Sequence, residues 1–175
     1  MRKLKTYELN RLSPKAFQVT KKRPFVMVLD NIRSMHNVGA AFRIADAFLL
    51  EKLYLCGITA IPPHRAIHKT ALGAEEYVAW EYAKDTVTII KQLKKVGYLI
   101  IAVEQTDASK HLRHFTHCTT EKYAVVFGHE VFGVHEDVLA TCDVCLAIPQ
   151  YGTKHSLNVS VSMGIMMWEL TREIQ

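Results

Sequence analysis

The chain has 175 residues, of which 49% are hydrophobic and 22% are charged, and its formal net charge is +5. This length predicts one domain that is large enough to bury its own core. The composition excludes an intrinsically disordered chain, and no apolar run reaches the length of a membrane span. Because the N-terminus also lacks the apolar stretch of a secretory signal, we expect a cytoplasmic protein that does not bind membranes.

Basic residues crowd the first 23 positions, where Glu8 is the only acid. Such a segment suits the phosphate backbone of a nucleic acid, and a solvated surface segment explains the same composition equally well. We predict a basic N-terminal arm over residues 1–23, followed by a single domain over residues 24–175. The candidate RNA-binding residues of the arm are Arg2, Lys3, Lys5, Arg11, Lys21, Lys22 and Arg23.

Apolar runs alternate with stretches of helical periodicity along the chain. The first half predicts strands at 25–29 and 52–56, a helix over 37–50, a loop at 61–65, one or two helical turns at 69–76 and an amphipathic helix over 86–96. The second half predicts strands at 98–103, 123–127 and 144–148, a short helix over 135–141 and a closing helix that ends near residue 172. This alternation predicts the α/β class, with a parallel sheet that carries helices on both faces.

Three polar motifs follow predicted strands, at the sheet edge where parallel sheets bind ligands. The first contains Asn37 and Arg43 in the pattern N-x-G-x-x-x-R, and the helical repeat places these two residues about 120° apart. The second is Gly128-His-Glu-Val-Phe-Gly133. A weaker motif, Glu104-Gln-Thr-Asp107, follows another predicted strand.

The third motif runs from Ile148 to Ser162 and leads into the closing helix. Ser156, Asn158 and Ser160 lie at the start of that helix, which is more polarity than a single N-cap requires. The surplus indicates a polar ligand held at the helix start. Because the chain has neither G-x-G-x-x-G nor a P-loop sequence, we expect loop backbone and a few side chains to hold the ligand.

Two further patterns allow a metal site without requiring one. Cys142-Asp-Val-Cys145 has the CxxC spacing, but the sequence has no second pair, so we interpret it as a strand edge in a reducing cytoplasm. His111, His114 and His117 recur at intervals of three, but neighbouring threonines disfavour a helix and no acidic partner lies nearby. We expect a surface or RNA-facing loop here, and no metal.

In this order, N-x-G-x-x-x-R, G-x-E-x-x-G and I-P-x-x-G-x-x-x-S-L-N-V-S resemble the motifs of the SpoU (TrmH-type) RNA ribose 2′-O-methyltransferases of the SPOUT superfamily. The resemblance extends from Phe25 to the C-terminus. It implies a Rossmann-like half followed by a C-terminal deep trefoil knot, S-adenosyl-L-methionine as the cofactor, and a homodimer. The segment 69–76 and Trp80 are similar to tRNA-modifying members, which favours tRNA over ribosomal RNA as the substrate.

The resemblance also implies roles for individual residues. The implied cofactor-binding residues are Val103, Glu104, Gln105, Gly128, Gly133, Ile148, Ser156 and Leu157. The implied catalytic residues are Arg43, Asn37, Glu130, Ser156 and Asn158. In this scheme Arg43 contacts the RNA and acts on its ribose hydroxyl. Ser156 and Asn158 order the transfer centre, while Glu130 braces a loop.

Arginine is an unusual general base, because a guanidinium does not normally lose its proton. In one version, Arg43 is deprotonated with help from a substrate phosphate. In the other, it stays cationic and stabilises the developing alkoxide, while a phosphate or a histidine accepts the proton. His36, which precedes Asn37, is a candidate acceptor.

Each of these residues also has an ordinary structural explanation. Asn37 and Ser156 are common types of helix cap, and Arg43 taken alone is a typical surface charge. A catalytically inactive RNA-binding protein on the same scaffold is therefore the alternative function. The apolar closing helix predicts either core packing or a homodimer surface, through Met163, Met166, Met167 and Trp168.

Overall fold

The computed structural model describes residues 1–116, 118 and 120–172. Its strands are β1 (Arg23–Asp30), β2 (Leu50–Cys56), β3 (Trp80–Ala83), β4 (Tyr98–Val103), β5 (Lys110–His111), β6 (Lys122–Phe127) and β7 (Val144–Ala147). Its α-helices are α1 (Pro14–Val19), α2 (Met35–Ala47), α3 (Arg65–Ala71), α4 (Thr86–Lys95), α5 (Glu136–Leu139) and α6 (Val159–Thr171). Short 3₁₀ turns cover Thr6–Leu9, Ala74–Glu76 and Leu112–His114. None of the helices in this part of the chain combines the length and hydropathy needed to cross a bilayer.

The strands form one parallel sheet in the order β3-β2-β1-β6-β4-β7-β5. Successive side chains of β1 point to opposite faces, as strand geometry requires. Phe25 and Met27 pack into a core with α2, α3 and α6, whereas Val26 and Val28 pack into a second core with α4 and α5. The predicted parallel α/β sheet with helices on both faces is confirmed.

Sequence periodicity missed the elements that contain few apolar residues. The edge strands β3 and β5 each pair with one neighbour, so they lack the apolar run by which a buried strand is recognised. The helical stretch predicted at 69–76 is split, because Leu72 and Gly73 take positive φ values of 55° and 91° after α3. The helix predicted over 37–50 is α2, and Ser34 rather than Asn37 is its N-cap.

Part of the predicted basic arm packs against the domain. Phe17 of α1 is 3% exposed, and its ring centroid lies 5.4 Å from that of Tyr77. Arg23 is the first residue of β1, and its guanidinium donates a hydrogen bond of 3.0 Å to the carbonyl of Thr171. The second part of the predicted arm, residues 14–23, therefore contacts the domain through the buried ring of Phe17 and the strand pairing of Arg23.

The closing helix α6 is apolar on all sides, and its faces differ in burial. Met163, Met166 and Met167 are completely buried, so they belong to the core and do not form the predicted homodimer surface. Trp168 is 64% exposed. The exposed apolar stripe of this helix consists of Val161, Ile165 and Trp168.

The end of β1 is fixed by a buried carboxylate. Asp30 is 1% exposed, and its oxygens accept hydrogen bonds from Thr86 Oγ1 at 2.6 Å and from the backbone N–H of His135 at 3.2 Å. Thr86 starts α4, and His135 is the N-cap of α5. The loop that follows β1 therefore leaves the sheet from a rigid point.

Candidate functional site

The strand-end cavity, of about 530 Å³, lies where the chain leaves β4, β6 and β7. The sequence-predicted residues that line it are Val103, Glu104, Gln105, Gly128, Glu130, Gly133, Ile148, Ser156, Leu157 and Asn158. They come from three separate stretches of chain, so the fold brings together the cofactor-binding set that the motifs predicted. Their roles remain predictions.

Two glycines let the loops approach closely. A Cβ at Gly128 would lie 2.2 Å from the backbone carbon of Gly133 and 2.2 Å from the backbone nitrogen of Val134. Gly133 has a φ of 68°, and a Cβ there would lie 2.1 Å from Glu104 Oε2. Neither position accommodates a side chain. At Gly128 the clashing atoms belong to the backbone, and at Gly133 they belong to the carboxylate of Glu104, which already accepts hydrogen bonds.

The carboxylate of Glu104 joins two of the loops. It accepts hydrogen bonds from the backbone N–H of Val134 at 3.1 Å and from that of Gln105 at 2.7 Å. The side-chain amide of Gln105 donates to the carbonyl of His155 at 2.8 Å. The loops after β4, β6 and β7 are thus bonded to one another around the cavity.

Glu130 ties the second motif to the start of α2. Its carboxylate accepts hydrogen bonds from the backbone N–H groups of Arg33 at 3.0 Å and Ser34 at 2.8 Å, and from the side-chain amide of Asn37 at 2.9 Å. Burial opposes ionisation of Glu130, but these three donors outweigh it and lower the pKa of the carboxyl. The carboxylate therefore also neutralises the positive end of the α2 dipole.

Asn37 connects this carboxylate to the third motif. Asn37 is 7% exposed, and its side-chain oxygen accepts a hydrogen bond of 3.4 Å from the amide of Asn158. Asn158 is itself the N-cap of α6, where its oxygen accepts the N–H of Ser160 at 2.8 Å. One chain of hydrogen bonds therefore links the three motifs that the sequence placed at separate strand ends.

Arg43 is the predicted catalytic residue that the fold separates from the others. It is exposed, it does not line the strand-end cavity, and it has no hydrogen bond or ion pair to any described residue. The six-residue spacing explains this position, because it turns Arg43 about 120° away from the buried Asn37. His36, one residue before Asn37, is exposed and shares the helix face of Arg43.

Sequence reasoning did not assign His129 and His155 to the cavity, although both line it. The Nδ1 atom of His129 accepts the N–H of Val131 at 3.0 Å. Both histidines lie next to motif residues in the chain. That proximity was the signal available in the sequence, and it did not indicate which way either imidazole ring would point.

The candidate RNA-binding residues of the arm fall into two groups. Arg2 forms an ion pair of 2.6 Å with Glu8, and Arg23 is bonded to Thr171. Lys22 donates to the carbonyl of Phe17, and burial lowers the pKa of its ammonium group. The exposed cations that carry none of these bonds are Lys3, Lys5, Arg11 and Lys21.

Two groups of potential metal ligands lie outside the cavity lining. The rings of His111 and His114 stack with their centroids 6.0 Å apart, and His117 lies outside the described residues. His68 Nδ1 and a carboxylate oxygen of Glu75 form a hydrogen bond of 2.5 Å. Glu76 lies beside this pair.

Known proteins provide close matches to both the sequence and the fold. The 23S rRNA (guanosine-2′-O-)-methyltransferase RlmB of Nitrosomonas europaea is 33% identical over 148 residues, which cover 85% of this chain and 56% of that protein. This chain therefore spans little more than half the length of that relative. A crystal structure of the A. aeolicus TrmH/SpoU tRNA modifying enzyme superposes with a TM-score of 0.79 and 26% identity, covering 90% of this chain and 78% of that chain.

A structure of an AdoMet-bound rRNA methyltransferase from Sinorhizobium meliloti superposes with a TM-score of 0.81 over 94% of this chain and 62% of that chain. Its 23% identity shows a shared fold. A model of the SpoU rRNA methylase family matches residues 24–168, which include all three strand-end motifs, and the chain belongs to that family.

Proposed function

We propose that this protein transfers a methyl group from S-adenosyl-L-methionine to a ribose 2′-hydroxyl of RNA. The observation that carries the proposal is the hydrogen-bond chain Glu130–Asn37–Asn158, which joins three family motifs at the edge of one cavity. Family membership supports it, and the relatives described above act on ribosomal RNA or tRNA by their names. The preference for tRNA remains a prediction from the sequence.

The strand-end cavity fits the proposed cofactor in size and chemistry. Its volume of about 530 Å³ lies within the range of about 300–1,000 Å³ that is typical of small-molecule sites. Val103, Ile148 and Leu157 provide apolar wall for an adenine ring, while Ser156 provides a hydroxyl. Gly128 also lines the cavity, and its lack of a side chain lets the backbone of Gly133 and Val134 pack against it.

When bound, the cofactor supplies an electrophilic sulfonium methyl group. The residues of the chain then have two tasks, which are to align the ribose oxygen with that methyl group and to manage one proton. Alignment alone is worth about 7–11 kcal/mol in favourable intramolecular reactions. Asn158 and Ser156 hold the cavity edge, and Glu130 positions Asn37 and Asn158.

Glu130 is a positioning residue and is not the base. Its oxygens already accept hydrogen bonds from Arg33, Ser34 and Asn37, and its lowered pKa makes it a weak proton acceptor. The free cation Arg43 stabilises the developing negative charge on the ribose oxygen. A substrate phosphate or a histidine takes the proton.

A homodimer explains why Arg43 lies outside the cavity of its own chain. The exposed stripe Val161, Ile165 and Trp168 is an apolar surface on α6, which packs beside α2. Pairing two copies through this face buries the stripe and directs the exposed face of α2, with Arg43, towards the partner. The complete site then contains residues of both chains, and the assembly acts on RNA in the cytoplasm.

The proposed deep trefoil knot is supported by the path of the segment 148–157. It begins beside β7, and it ends at Asn158, which is bonded to Asn37 after β1. In the sheet, β4 and β6 lie between β7 and β1, so this segment crosses the ends of both strands. Threading of the segment beneath an earlier loop is an exception to the rule that chains do not form knots.

Titration calorimetry with S-adenosylmethionine distinguishes the enzyme from the inactive RNA-binding alternative. We expect one site per chain, together with transfer of radioactive methyl from labelled cofactor to RNA. An absence of cofactor binding in a folded protein that still binds RNA would overturn the proposal in favour of the alternative.

A further inference from the structure

A second cleft, of about 350 Å³, adjoins the strand-end cavity on the side of β5. The two adjoin each other, since both are lined by Gln105, Ala147, Ile148 and Gln150. His111 and Tyr151 line the outer part of the cleft. The proposed transfer step does not use these two residues.

An arginine lies beside Tyr151, which lines this cleft. Tyr151 is 81% exposed, and the guanidinium carbon of Arg113 lies 5.9 Å from the centre of its ring. Arg113 is exposed and has no hydrogen bond or ion pair to any described residue. The guanidinium is therefore held near an aromatic ring while its donors remain available.

The charge around the cleft favours an anionic ligand. Lys110, three residues before Arg113, and Lys154, three residues after Tyr151, are both exposed, as is the acid Asp107. The carboxylate of Glu104 is already occupied by two backbone N–H groups. The chain segments that carry the cleft residues therefore bring more exposed cations than free carboxylates.

We propose that the cleft binds an RNA nucleotide that neighbours the methylated one, with its base stacked on Tyr151 and its phosphate bound by Arg113. The inference rests on the proposed function and adds to it the position of the RNA strand next to the methylated nucleotide. Unpaired bases stack on aromatic rings, and guanidinium groups bind phosphate oxygens in pairs. Because a paired base cannot splay onto the ring, the target lies in a loop or another single-stranded segment.

Three substitutions test this subsite, and a fourth serves as the control. Tyr151→Ala removes the ring, Tyr151→Phe keeps it, and Arg113→Ala removes the guanidinium. Lys95→Ala removes one exposed charge from α4, on the opposite face of the sheet. Filter binding with unfractionated tRNA and with ribosomal RNA gives the RNA affinity, while calorimetry gives the cofactor affinity.

For the RNA that the wild type methylates, we expect Tyr151→Ala to weaken binding by about ten-fold or more, as loss of base stacking does. Tyr151→Phe and Lys95→Ala retain the wild-type affinity. Arg113→Ala lowers the slope of log affinity against log salt by about one, as loss of one phosphate contact does. All four variants bind the cofactor as the wild type does.

Two results would overturn the inference. Unchanged RNA affinity in both Tyr151→Ala and Arg113→Ala would show that no nucleotide occupies the cleft. Weakened cofactor binding with unchanged RNA affinity would show that the cleft holds part of the cofactor instead. Failure of the proposed function is separate, because it would appear as absent methyl transfer by the wild type.

Discussion

The strand-end loops and the basic arm are both polar, but they are organised over different distances in the sequence. Glu130 binds groups that lie 93 to 97 residues away, and Asn158 reaches Asn37 across 121 residues. In the part of the arm that precedes α1, Arg2 pairs with Glu8 six residues away. The fixed geometry of the loops therefore depends on the whole fold, whereas this part of the arm contributes mainly charge. We expect the loops to control chemistry and the arm to control RNA affinity.

The largest effect should come from Gly128→Ala, which prevents the loops from closing. The new methyl group would meet backbone of Gly133 and Val134 at 2.2 Å, so the loops must separate. We expect loss of cofactor binding and of methyl transfer, with a decrease of about 1–3 kcal/mol in the free energy of unfolding. Calorimetry and urea denaturation measure these changes.

Gly152→Ala is the matched control for that substitution. Gly152 lies in the third motif, but a Cβ there meets no atom within 4 Å. We expect nearly normal cofactor affinity and activity. Equal losses in the two variants would show that any added methyl group in these loops is harmful, and that closure at Gly128 has no special role.

Arg43→Ala should separate catalysis from cofactor binding. Since Arg43 lies outside the cavity of its own chain, the affinity for S-adenosylmethionine should not change. Loss of an electrostatic stabiliser should lower kcat by about 10²–10³-fold. Steady-state kinetics and calorimetry on the same preparation check both expectations.

The pH profile of Arg43→Ala and His36→Ala then identifies the proton acceptor. If His36 accepts the proton, its removal lowers kcat and changes the dependence of kcat on pH. If only Arg43→Ala loses activity, His36 is excluded as the acceptor, and the proton passes to a phosphate or another group.

Glu130→Gln should weaken the hydrogen bonds that join the second motif to the start of α2, while it keeps the size and shape of the side chain. A glutamine turns one of its own donors towards N–H groups of Arg33, Ser34 or Asn37, so we expect a loss of about 1–2 kcal/mol, at the lower end for bonds to charged groups because the carboxyl is partly exposed. Urea denaturation at neutral pH measures the difference between wild type and variant.

The difference in free energy of unfolding between the wild type and Glu130→Gln should depend on pH, with a definite sign. Because the folded protein lowers the pKa of Glu130, the stabilisation is complete above the usual glutamate pKa of about 4.3. It is lost as the pH falls through the lower pKa of the folded state. A difference that grew in acid would contradict the assigned contacts of Glu130.

The smallest effect should come from the arm. Lys3→Ala with Arg11→Ala removes two exposed cations that are not bonded in the fold, and we expect the slope of log RNA affinity against log salt to fall by up to about two. The free energy of unfolding and the cofactor affinity should stay unchanged. Lys91→Ala with Lys95→Ala on α4 provides the charge-matched control, and an equal effect there would remove any special role of the arm.

The sequence could predict the buried strands and helices because their apolar periodicity is local. Runs such as Phe25 to Leu29 are apolar at every position since both faces of β1 are covered. The edge strands β3 and β5 lack this signal, and α1 depends on the single buried ring of Phe17. Such elements are stabilised by tertiary contacts between residues that lie too far apart in the sequence for a local pattern to show them.

The sequence predicted which residues line the candidate site, but it did not predict how they are arranged. The motifs identified ten of the residues that line the cavity through their resemblance to a known family. Nothing local indicated that Asn37 would lie between Glu130 and Asn158. The helical spacing placed Arg43 about 120° from Asn37, but it did not indicate on which side the cavity would lie. Those positions follow from the sheet order, which places distant strand ends side by side.

The most direct measurement is mass spectrometry of nucleosides from RNA that has been incubated with the protein and S-adenosylmethionine carrying a deuterated methyl group. We expect one nucleoside to gain the labelled methyl on its ribose, and Arg43→Ala to form that product about 10²–10³-fold more slowly while still binding the cofactor. Label on a base, or no label from a protein that binds both cofactor and RNA, would contradict methyl transfer to a ribose hydroxyl.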